Sequence, residues 1–137
     1  MKIAIRRAED GETRLEFVER ADSFGFISIV YALIRIGARP SIANPVISPA
    51  GASWQFEARE GLAVEASYQR GHATQLRALG PAADTEWDAL RRALEAVPAP
   101  SRWTPLPAAL LGDMRGIPDL TWREQLRRMF GRRAPAG

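Results

Sequence analysis

In residues 2–7, KIAIRR, and 13–20, TRLEFVER, apolar and polar residues alternate, and AEDG lies between them. Alternation of β-favouring residues around a short Gly-containing loop predicts a hairpin. A loop of Glu9, Asp10 and Gly11 pairs Ile5 with Leu15 and Ile3 with Phe17, so these four share one face. Lys2, Arg6, Arg14 and Glu16 take the other face. Residues 53–58, SWQFEA, and 62–69, LAVEASYQ, repeat the logic around REG. This register pairs Ala58 with Leu62, Phe56 with Val64 and Trp54 with Ala66. Trp54, Phe56, Leu62, Val64, Ala66 and Tyr68 then face inward, and Gln55, Glu57, Glu65, Ser67 and Gln69 face outward. A loop one residue shorter would set Phe56 opposite Glu65 and mix the faces.

A helix signal follows each hairpin. GFISIVYALIRIG, residues 25–37, is the most apolar stretch, interrupted only by Ser28 and Arg35. Its five β-branched residues argue for a strand. However, neither alternating face would be polar, and Asp22 or Ser23 as N-cap and Gly37 at the other end favour a helix. Residues 22–37 would span about 24 Å at 1.5 Å per residue, short of the roughly 30 Å of a bilayer core, so a membrane span is not expected. On the helix, Gly25, Ser28, Ala32 and Arg35 form a narrow stripe and everything else is apolar. Such a helix needs cover on more sides than one sheet offers. Near residue 84, Asp84 or Thr85 starts a second helix with a Trp87, Leu90, Leu94, Val97 stripe and an Asp88–Arg92 pair, stopped by Pro98. Between the elements, residues 38–51 carry three prolines and follow the surface or a sheet edge. Residues 70–83 suggest a short helix ending at Gly80.

From residue 98 the composition shifts. PAPSRWTPLP is Pro-rich, and TWREQLRRMFGRR reads as a helix opened by a Thr121–Glu124 capping box. The expected fold is α+β in the order ββα-ββα, a four-stranded antiparallel sheet with helices packed on one face. It forms a domain over 1–97, and 98–137 form a Pro-rich linker and an arm ending in a basic amphipathic helix.

Charge sharpens that division. Residues 1–97 hold 12 Lys+Arg against 13 Asp+Glu, whereas 98–137 hold 7 Arg against 3 acids. The basic excess belongs to the arm. There is no cysteine, which removes disulfides, thiolate metal sites and a Cys nucleophile. The N-terminus has no apolar signal core, and a cytoplasmic location is expected.

Candidate chemistry is sparse. His72 is the single histidine and no Gly-x-Ser-x-Gly motif accompanies it. Glu57 and Glu65 share the outer face of the second hairpin, where a solvated role competes with acid–base work. No metal-ligand spacing or phosphate loop is present, so no cofactor and no metal are expected. The first expectation is a non-catalytic protein–protein interaction module, an adaptor or neutralising binding protein. It would use apolar surface around helix 22–37 and the arm, with Trp103, Trp122, Leu126, Met129 and Phe130 meeting another protein or a second copy. The alternative is nucleic-acid binding through Arg123, Arg127, Arg128, Arg132 and Arg133. A third reading is a small-molecule or enzymatic pocket between sheet and arm, near His72, Glu57 or Glu65.

Overall fold

The computed structural model describes residues 1–59 and 62–100. The elements are β1 (Ile3–Arg7), β2 (Thr13–Phe17), α1 (Ser23–Arg35), β3 (Arg39–Pro40), β4 (Val46–Ser48), β5 (Gly51–Arg59), β6 (Leu62–Gln69), β7 (Gln75–Ala78) and α2 (Asp84–Glu95). The fold is α+β, with two helices and one large antiparallel sheet among the described residues.

The first hairpin keeps the register that its alternation requires, with Ile3 opposite Phe17 and Ile5 opposite Leu15. Ala8 N–H closes the loop on the Glu12 carbonyl at 2.8 Å, and Gly11 takes φ +83, a conformation that costs glycine little. In the second hairpin Trp54 faces Ala66 and Phe56 faces Val64. Its end differs from expectation. Arg59, not Ala58, stands opposite Leu62, because the register shifts between Glu57 and Arg59. An irregularity of this kind absorbs one residue and bends the strand.

The expected four strands become seven, in the order β1-β2-β7-β6-β5-β3, with β4 also on β5. The two hairpins are not neighbours, because β7 lies between β2 and β6. The short helix expected within 70–83 is therefore a strand. Thr74 and Leu76 are buried while Gln75 and Arg77 are not, and that period of two matches a strand with one face on the core. β3 and β4 come from the Pro-rich 38–51 connection and pair along the outer edge of β5.

One sheet face carries the core. Ile3, Leu15, Phe17, Leu76, Ala66, Val64, Trp54 and Phe56 are all buried there, in rows fixed by direct cross-strand pairing. α1 packs on β5 and β6 and touches α2, and α2 lies near β1. Ten of the thirteen α1 residues are buried, each large apolar one contributing about 1.5–3 kcal/mol on transfer from water. Asp22 is the N-cap, and its carboxylate accepts the Gly25 N–H at 3.1 Å. Arg20 holds that carboxylate in a fork, Nε to Oδ1 at 3.0 Å and Nη2 to Oδ2 at 2.6 Å. The Gly25–Ser28–Ala32 stripe is a close-packing surface, since a Cβ on Gly25 would stand 3.3 Å from the Arg20 carbonyl. Ser28 hides its hydroxyl by donating to the Phe24 carbonyl at 2.8 Å.

α2 begins one residue earlier than its sequence suggests. Ala83 is the N-cap, and its N–H donates to the Glu86 carboxylate at 2.8 Å. Trp87, Leu90 and Leu94 are buried as their spacing demands, and Asp88 pairs with Arg92. Beyond α2 the chain turns along α1. Val97 packs on the core, and Ala99 borders two hollows beside α1, one with Tyr31 and Arg35 and one with Phe24 and Ser28. The broad apolar surface expected around helix 22–37 is thus not on offer. Of its large apolar residues only Tyr31, Ile34 and Ile36 remain half-buried.

Candidate functional site

The second face of the sheet is built from the alternate residues. Reading across the strands, Arg6 stands opposite Arg14, Arg14 opposite Arg77, Arg77 opposite Glu65, and Glu65 opposite Gln55. The adjacent row is Ala4, Glu16, Gln75, Ser67, Ser53 and Val46. None of these residues is in the buried class, and neither described helix packs on them.

Three arginines directly opposite one another repel. Carboxylates interleave to offset this. Glu16 lies 3.7 Å from Arg6 Nη2, Glu12 and Asp10 lie 3.3 and 3.5 Å from Arg14 Nη2, and Glu65 accepts from Arg77 Nε at 3.0 Å. Gln75 Nε2 donates to Glu16 at 3.3 Å. Both acids meet Arg14 through one nitrogen, and its buried Nε has no partner. Arg77 likewise commits only Nε, and its side chain is 45% exposed. These half-used guanidinium groups have donors left for an incoming acceptor.

A hollow of about 320 Å³ opens on this face, lined by Arg14, Glu65, Gln75, Arg77 and His72 among others. His72 sits on the β6–β7 turn, where its backbone N–H donates to the Gln69 carbonyl at 2.8 Å. Gly71 beside it takes φ +84. The turn therefore brings the single histidine to the rim of the hollow rather than into the core. The expected proximity of His72 and Glu65 is realised. Glu57 stands elsewhere on the face, opposite Ala63 and Arg39. Glu65 is engaged as the charge partner of Arg77, so the two glutamates do not form a free carboxylate pair.

The remaining sequence candidates separate clearly. Trp54, Phe56 and Tyr68 are buried, with the first two rings 5.1 Å apart and Trp54 Nε1 donating to the Ile42 carbonyl at 3.0 Å. They offer no stacking platform for bases. Trp103, Trp122, Leu126, Met129 and Phe130, and Arg123, Arg127, Arg128, Arg132 and Arg133, lie outside the described residues. Among the described residues no group of three or more His, Asp or Glu could hold a metal ion, and no helix is long and apolar enough to cross a membrane. Sequence reasoning missed Arg14, Gln75 and Arg77 as one cluster. The available signal was the alternation of residues 74–78, which turns Gln75 and Arg77 to the same side as Arg14. No protein-family model, curated protein or solved structure matches the chain.

Proposed function

We propose that the protein is a non-catalytic interaction module that binds another protein on the open, polar face of its sheet. The observation that carries this reading is the hollow around Arg14, Gln75 and Arg77, on a face left bare by both helices. Its guanidinium groups keep free donors, and its carboxylates are tied to them as charge partners, an arrangement suited to recognition rather than proton transfer. Mixed charge with polar amides is the usual make-up of an interface rim. The burial of α1 removes that helix from the contact area. The arm's stripe of Trp122, Leu126, Met129 and Phe130 forms a second contact area in the same proposal, on its sequence pattern alone.

The test is affinity capture with the full chain, its Arg77→Glu variant and an Arg92→Gln control on α2. A protein held by the wild type and the control, and lost by Arg77→Glu, supports the reading. Retention by Arg77→Glu of every protein that the wild type captures contradicts it.

A further inference from the structure

The main-chain hydrogen bonds of β1 alternate in direction. Val18 N–H donates to the Lys2 carbonyl at 3.3 Å, and Ala8 N–H donates to the Glu12 carbonyl at 2.8 Å. With the register between them, the even-numbered residues of β1 turn their N–H and C=O groups towards β2. Ile3, Ile5 and Arg7 therefore turn theirs outward. No described strand meets them. The opposite border is managed differently, since β3 and β4 both cover the outer side of β5. An uncovered strand edge is a template for another strand.

The side chains of β1 select among possible occupants. Ile5 is 47% exposed, Arg6 is 61% exposed in its side chain, and Lys2 and Arg7 are exposed. A second copy of β1 would add its own Lys2, Arg6 and Arg7 to these, and like charges across a strand pair are unfavourable. Only Arg6 has a carboxylate nearby, at 3.7 Å. We infer that the β1 edge receives an extended acidic segment of the protein partner as an added strand. Main-chain bonds to Ile3, Ile5 and Arg7 would supply affinity, and carboxylates beside Lys2, Arg6 and Arg7 would supply selectivity. An apolar residue of the added strand would cover Ile5. This inference rests on the reading that the partner docks on the open side of the sheet, because Arg6 belongs both to β1 and to the polar row.

The test uses the full chain labelled with nitrogen-15 and a synthetic octapeptide of alternating glutamate and valine. The comparison peptide carries lysine in place of glutamate. Saturable shifts of the Ile3, Ile5 and Arg7 amides are expected with the acidic peptide alone, with slower hydrogen exchange at Ile5. Ile5→Pro removes an outward donor, and the double variant Arg6→Glu, Arg7→Glu reverses the charge. Each should weaken binding at least about tenfold. Three outcomes overturn the inference: no saturable shift, equal binding of the lysine peptide, or concentration-dependent protection of Ile5 without peptide, which would make the occupant a second copy. Failure here together with partner loss in Arg77→Glu would leave the sheet-face reading standing. Peptide binding without any Arg77-dependent partner would do the reverse.

Discussion

Proline substitutions at adjacent positions of β1 should differ in cost, because the two N–H groups point opposite ways. Ile5→Pro removes a donor that no described strand accepts. Its cost comes from side-chain burial. Ile5 is 47% exposed, so about half of the roughly 1.5–3 kcal/mol for a fully buried isoleucine is at stake. The ring keeps part of that, which leaves about 1 kcal/mol. Arg6→Pro deletes the N–H that turns towards the Arg14 carbonyl. It strips that carbonyl of its partner and wedges a ring between paired strands, costing about 2–3 kcal/mol. The 3.7 Å contact of Arg6 with Glu16, at 61% exposure, adds little. With a urea dependence of about 1–3 kcal/mol per molar, the Arg6→Pro midpoint should fall below that of Ile5→Pro by roughly 0.5–1 M. Equal midpoints, or the reverse order, would refute the assignment of β1's outward groups.

Gly51→Ala should destabilise the sheet by about 1–3 kcal/mol in urea unfolding, since its Cβ would stand 1.9 Å from the Tyr68 carbonyl oxygen and force β5 from β6. Hydrogen bonding from Arg91 first, and then the charge of Arg92 and its hydrogen bond, hold the Asp88 carboxyl below its usual value despite an opposing desolvation effect. A lowered folded-state pKa stabilises at pH above the ordinary carboxylate value and is lost as pH falls through the lowered one. Melting temperatures taken on descending into acid should therefore fall less steeply for Asp88→Asn than for the wild type.

The hairpins were legible because their faces alternate without a break from residue 2 to residue 6 and from 54 to 57. α1 was legible from length, from Asp22 and from Gly37, which takes φ +95 just past the helix end. β7 was not, because Leu76 and Leu79 stand at a helical spacing that competes with the two-residue period of Thr74, Leu76 and Ala78. β3 and β4 have two and three residues, too few to show any period, and Pro40 in the first disguises it further. The hollow depends on β7 lying between β2 and β6. That places Arg77 opposite Arg14, far away in sequence, and no local pattern announces such a pairing. α1 read as a helix in need of cover. The sheet, α2 and the first residues after α2 meet it, so its hydrophobicity reports a central core element rather than a docking surface.

Hydrogen exchange of the full chain, with and without a protein captured through the Arg77-dependent step, tests the account most directly. The account predicts slower exchange in β1 and at the Arg14, Gln75 and Arg77 positions, and none in α2. Protection confined to α2 and the exposed end of α1, with β1 and β7 unchanged, would contradict it.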